Sequence, residues 1–147
     1  METISHWMQQ DHVEIDAIAE SALAAAGARD LATLASEGGR FLERLGRHIE
    51  MEERVLFAAF EERTGMTAAG PSVQMRVEHD QMRPILDSMQ AALAARDGAA
   101  WQQAARSLHE ILVPHNLKEE QMMYPMLDRA MGPDAESLLA DVRAMAL

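Results

Sequence analysis

The chain of 147 residues has the length of one domain. With 48% hydrophobic and 25% charged residues it is neither disordered nor fibrous, and it has no cysteine, which excludes disulfides, iron–sulfur ligation and thiol catalysis. Thirteen basic against 24 acidic side chains leave a formal charge of −11, a surface that repels phosphate backbones and argues against nucleic acid as a partner. Apolar runs such as Leu23 to Ala26 are too short to span a membrane, and the polar opening Met1-Glu2-Thr3 lacks a signal-peptide core. A cytoplasmic protein without a membrane partner is expected.

Alanine, leucine, methionine, glutamate, arginine and glutamine dominate, all good helix formers, and no alternating apolar run signals a strand. A first helix is expected from about Ser5 to Ala26, where Gly27 breaks it. The second runs from Asp30 or Leu31 to Thr64, with Gly65, Gly70 and Pro71 marking the turn that follows. The third begins after Ser72, a good N-cap residue, and fades at Ala95 before Asp97-Gly98. The fourth covers about Ala99 to Met131 and stops at Gly132-Pro133; a short fifth spans Pro133 to about Ala146. Four long helices with short connections predict an all-α fold, an up-down-up-down four-helix bundle with a short C-terminal helix. The whole chain, 1–147, is expected to be one domain whose bundle covers about 4–131.

The apolar stripes carry polar intruders. The second helix presents Phe41, Leu45, His48, Glu52, Val55 and Ala59 at steps of three and four, the seam of a packed helix. The fourth repeats the pattern with Leu108, Leu112, His115, Glu119, Met122 and Met126. The first reads Met8, His12, Ile15, Ala19, Ala22, and the third Met75, His79, Met82, Leu86, Met89. Each long helix thus turns one histidine inward, and two add a glutamate four residues later.

The spacing is regular. His12 to His48 and His79 to His115 are both 36 residues; His12 to His79, His48 to His115 and Glu52 to Glu119 are all 67. The second half repeats the inward pattern of the first, so two helix pairs related by a pseudo-twofold bring all four histidines to one level. A histidine and a glutamate at i and i+4 lie about 40° apart and about 6 Å along the helix, within reach of one centre. Two buried carboxylates and four imidazoles need positive charge, and nitrogen and oxygen donors without sulfur suit iron, manganese or zinc. A purely structural polar layer would not require the repeated spacing. Two octahedral ions held by four histidines and two bridging glutamates, with an oxo or hydroxo bridge, would retain roughly two exchangeable positions. Because ligation uses neutral imidazole, metal affinity is expected to fall below about pH 6.

His12, the pair His48 and Glu52, His79 and the pair His115 and Glu119 resemble the hemerythrin family, in particular its bacterial HHE domains, over about Ile4 to Met131. Asp11-His12, Glu78-His79-Asp80 and the doubled acids after each pair belong to the likeness. The resemblance implies two non-haem iron ions joined by an oxo or hydroxo bridge, the histidines as terminal ligands and Glu52 and Glu119 as bridges. It also implies a small ligand such as dioxygen or nitric oxide. Oxygen carriers bear a fifth histidine four residues after the one on the third helix; Arg83 stands there, and Glu119 replaces the carriers' aspartate one residue further on. The six-residue set is therefore more similar to di-iron domains that handle nitric oxide or repair iron–sulfur clusters.

Three functions follow: binding or sensing of dioxygen or a related ligand; a di-iron oxidoreductase or repair factor acting on nitric oxide or peroxide or donating iron; an iron-responsive module. Asp16, four residues after His12, is expected as a hydrogen-bond acceptor behind the ligands, and Tyr124 as an ordinary tyrosine at the core edge, with a gate or hydrogen-bond donor behind the ligands as the alternative. His6 and His109 are expected at the surface, Arg83 paired with Asp80, and the methionines as core filler. Pro84 and Pro114 are expected to kink the helices beside His79 and His115.

Overall fold

Thr3 opens the first helix by accepting the His6 N–H on its hydroxyl at 3.0 Å. The computed structural model describes residues 2–146, which form long helices joined by tight turns. Helix α1 spans Ile4–Gly27, and the Asp128 carboxylate accepts its Ile4 and Ser5 N–H groups from the far end of the chain. Helix α2 covers 31–64: Leu31–Met51, a π-helical turn Glu52–Leu56, then Phe57–Thr64. Helix α3 is Pro71–Ala94. Helix α4 covers 98–131 and has the same plan, Gly98–Lys118, a π-turn Glu119–Met123, and Tyr124–Met131. A 3-10 turn Gly132–Asp134 leads into α5, Ala135–Met145. The fold is the expected all-α bundle with its short last helix. No helix of the described residues is long and apolar enough to cross a membrane.

The duplication reaches the turns. Arg29 and Arg96, 67 residues apart, both adopt left-handed backbone (φ 59° and 53°), and Asp30 and Asp97 cap α2 and α4 by accepting the Thr33 and Ala100 N–H groups. The same tripeptide, Ala-Arg-Asp, occupies 28–30 and 95–97, a likeness missed when only the inward-facing positions are compared. The turn before α3 is built differently from expectation. Gly70 (φ 121°) is the N-cap and Pro71 the first helical residue, while Ser72 is buried and donates its hydroxyl to Glu61 at 2.7 Å.

Helix α1 packs on α2 and α3 on α4, with α1 also against α4 and α2 against α3. One apolar cluster, with Ile15, Phe41, Leu45, Met82, Trp101 and Leu108, fills the end of the bundle toward the two Ala-Arg-Asp turns. A second, with Met8, Met51, Phe57, Met75, Met123 and Leu127, fills the other end, and α5 closes it with Leu138, Leu139 and Val142. The inward histidines lie between these two clusters, all buried.

Beyond Glu52 and Glu119 the seam departs from the sequence reading. Leu56 and Phe60 are buried in place of Val55 and Ala59, and Met123 and Leu127 in place of Met122 and Met126; Met122 is 40% exposed. The π-turn is the cause: its i to i+5 bond holds one residue more than an α turn and advances the face by one position. Helices α3 and α4 meanwhile remain helical through Pro84 and Pro114, and in α4 the α ladder is broken at Glu119, beyond the proline.

Leu56→Ala should cost about 2–5 kcal/mol of stability, and Val55→Ala no more than about 1 kcal/mol. Urea denaturation of both variants checks this; the reverse order would mean that an unbroken α-helix runs through α2.

Candidate metal centre

Four helices each deliver one imidazole to the same layer, and α2 and α4 deliver a carboxylate one turn later. All six side chains are at most 4% exposed. Each Nε2 faces the two glutamates: His12 lies 3.1 Å from Glu119 Oε1, His115 3.3 Å from Glu119 Oε2, His79 3.1 Å from Glu52 Oε1, and His48 3.5 Å from Glu52 Oε2. Each carboxylate therefore spans two histidines, one from each half of the chain or its own helix and a neighbour. The rings pair, His12 with His48 at 4.7 Å between centroids and His79 with His115 at 4.8 Å, so the cluster has two lobes. Donor atoms of Glu52, His79, His115 and Glu119 all lie within 4.8 Å of one another, and so do those of His12, His48 and Glu119.

Each Nδ1 is turned outward onto another acid: His12 to Glu120 at 2.7 Å, and His48 to Asp11, His79 to Glu53 and His115 to Glu78 at 2.8 Å each. A carboxylate only accepts, so each Nδ1 carries a proton, and a ring in its neutral, metal-binding form aims its Nε2 lone pair at the cluster. The interior is thus rich in acceptors and poor in donors. Glu52 Oε1, His79 Nε2 and Glu119 Oε2 are buried with no hydrogen-bond partner among the described residues; the 3.1 Å contact of the first two is off-line for a bond. Buried polar atoms without partners are rare in folded proteins, and a cation satisfies all three at once. The donor set of imidazole nitrogen and carboxylate oxygen fits iron, manganese or zinc.

A family model described as the hemerythrin HHE cation binding domain matches residues 3–127. The chain belongs to the hemerythrin family. Searches of curated proteins and of solved structures give no significant match. The buried cluster of this hemerythrin-like domain and the matched family agree on metal binding.

Electrostatics show the same shortage of positive charge. Burial alone would push the His48 imidazole down, but the Glu52 charge and the bond to Asp11 override it and raise it to about 10. His115 is likewise opposed by burial, yet Glu119 lifts it to about 9. Burial works to raise Glu52, and the charge of His48 with bonds from its neighbours holds it well below the usual carboxylate range. Protons and metal ions compete for one unmet demand, so proton competition reaches higher pH than the ordinary imidazole value suggests.

The acids behind the histidines obey the repeat: Asp11 and Glu78 are 67 residues apart, as are Glu53 and Glu120. That offset was legible in the sequence, where Asp11 and Glu78 appeared only as part of a family likeness and Glu53 and Glu120, about 100° off the seam, read as solvated or as hydrogen-bond partners behind the ligands. Arg44 pairs with Asp11 at 2.7 Å, Lys118 with Glu78, and Arg83 with Glu53 at 2.8 Å as well as with Asp80 at 3.1 Å. Asp16, expected behind His12, is instead exposed and lines a cavity of about 60 Å³ with His109; Glu120 holds the His12 ring. Its position is the counterpart of Arg83. His6 is exposed and pairs with Glu2.

Tyr124 is fully buried rather than at the core edge. Its N–H bonds the Glu119 carbonyl across the π-turn, which brings the ring over the glutamate. Its hydroxyl donates to Glu52 Oε2 at 2.6 Å and lies 3.0 Å from Glu119 Oε1. Burial, then the charges of Glu119 and Glu52, push the phenol well above its usual value.

Two outcomes are expected. Folding takes up protons at His48 and His115, so in chelator-treated protein their stabilisation is complete below about pH 6.5 and is lost as pH rises through about 9 to about 10. The urea midpoint of that protein should fall from pH 7 to pH 10; an unchanged midpoint would mean that both rings fold neutral. Asp11→Asn or Glu53→Gln should weaken metal binding about 10–100-fold by loosening a ring that still ligates, measured by chelator competition.

Proposed function

We propose that this protein is a non-haem di-iron protein that binds or senses dioxygen or a related small ligand at an open iron position. The reading is carried by one observation: two buried carboxylates, each spanning histidines, leave buried donor atoms without partners in a layer sealed by apolar clusters. In this reading His12, His48, His79 and His115 are terminal ligands, and Glu52 and Glu119 bridge the two ions, which share an oxo or hydroxo group. Bound iron supplies reversible or redox chemistry toward small diatomic ligands. The protein's own part is to hold each imidazole by its Nδ1, to keep water out, and to leave ligand positions unfilled.

A second reading, a di-iron oxidoreductase or repair factor acting on nitric oxide or peroxide, is favoured by Arg83. It occupies the place of the carriers' fifth histidine and is drawn away by Glu53 and Asp80, which leaves one more position free of protein. Reversible uptake favours the first reading and turnover with an electron donor the second. The small-ligand partner and a cytoplasmic setting belong to both.

Glu52→Ala and Glu119→Ala should each lose most bound metal, measured as iron per chain after loading and desalting. Retention of two irons by both variants would sink the bridging assignment. In optical spectra of reduced, iron-loaded protein, a visible band formed with oxygen should vanish on purging with argon. Prompt irreversible oxidation would instead select the second reading.

A further inference from the structure

The two lobes of the centre are related by the 67-residue repeat, and the repeat fails at one aromatic position. In the His79/His115 lobe Phe57 stacks on His79 with ring centroids 5.8 Å apart. Sixty-seven residues later its counterpart is Tyr124, 5.7 Å from the His12 ring in the other lobe. Both follow their glutamate by five residues and bond its carbonyl through their backbone N–H at the end of a π-turn. One lobe thus has a hydroxyl where the other has only carbon.

That hydroxyl touches four donor atoms of its lobe. It lies 3.2 Å from His12 Nε2, 3.2 Å from His48 Nε2, 3.0 Å from Glu119 Oε1 and 2.6 Å from Glu52 Oε2. The Nδ1 protons of both rings are already committed to Glu120 and Asp11, so with the rings in the neutral form that ligation requires all four neighbours are acceptors. A phenol has one proton and satisfies one of them. Neighbouring ligands on an octahedral ion with bonds of about 2.1 Å are about 3 Å apart, which is the spacing of this oxygen from its neighbours. The unpartnered atoms Glu52 Oε1, His79 Nε2 and Glu119 Oε2 all face the other lobe.

We propose that Tyr124 is a direct phenolate ligand to the metal held by His12 and His48, which makes the two metal positions unequal. The proposal rests on the di-iron reading above. On binding, the phenol O–H bond is replaced by an oxygen–iron bond and the proton leaves to solvent; no electron is transferred. Tyr124 then fills a position in the His12/His48 lobe, and the exchangeable positions gather on the His79/His115 iron beneath Phe57.

The chain contains one tyrosine, so any phenolate signal has one source. The full chain is loaded with iron(II), oxidised with ferricyanide, and assayed for iron content, visible absorption and resonance Raman scattering. Two irons per chain are expected, with a phenolate-to-iron(III) charge-transfer band and enhanced phenolate ring modes that shift in protein grown on ring-deuterated tyrosine. Tyr124→Phe should keep the iron and lose both the band and the modes. Wild-type protein that holds two irons per chain without these signals would overturn the proposal, and Tyr124 would remain a hydrogen-bond donor to the carboxylates. Band and modes persisting in Tyr124→Phe would overturn it as well. Failure of the wild-type chain to take up iron would overturn the di-iron reading along with it.

Discussion

Everything in this bundle is arranged around two carboxylates buried without charge partners of their own. An ion stripped of water costs several kcal/mol unless it is paired, and Glu52 and Glu119 face the inner nitrogens of imidazoles instead of a lysine or arginine. Each imidazole is fixed in that orientation by an acid on its outer nitrogen, and three of those acids are anchored by Arg44, Arg83 or Lys118. Charge therefore alternates outward from the centre: cation, carboxylate, imidazole, carboxylate. The innermost place in that order is for a positive charge, taken by protons at His48 and His115 or by metal.

The π-turns are the local device that makes the layer possible. An uninterrupted α-helix would continue the seam through Val55 and Met122, leaving Leu56, Phe60, Met123 and Leu127 off the core face. One extra residue per turn lets the glutamate point inward and still returns the following helix to the apolar cluster. It also sets an aromatic ring beside the cluster in each half, Phe57 stacked on His79 in one and Tyr124 bonded to both glutamates in the other. Such turns are frequently found at functional sites, and here each begins on a residue of the cluster.

Near-symmetry is what makes the departures informative. Turns, caps, π-turns, histidines, glutamates and the acids behind them all repeat at 67 residues. Tyr124 against Phe57 and Asp16 against Arg83 do not. Both breaks touch the surroundings of His12 or His79, so one duplicated frame presents two chemically different lobes.

The sequence by itself determined the helical class, the inward histidines and glutamates and the metal-binding character, because helix periodicity and a repeated offset are properties of spacing alone. Arg83, too, could be excluded as a ligand by its chemistry. Only the tertiary structure decided which acid holds which ring: Asp11 reaches His48 and Glu53 reaches His79 across helix interfaces, contacts that no spacing along one helix specifies. It also decided the phase beyond each glutamate, since a π-turn is a backbone compromise among packing partners and is absent from the apolar count. Tyr124 passed from the core edge to the centre for that reason, and Asp16 passed outward because the Glu120 carboxylate already occupies the His12 nitrogen.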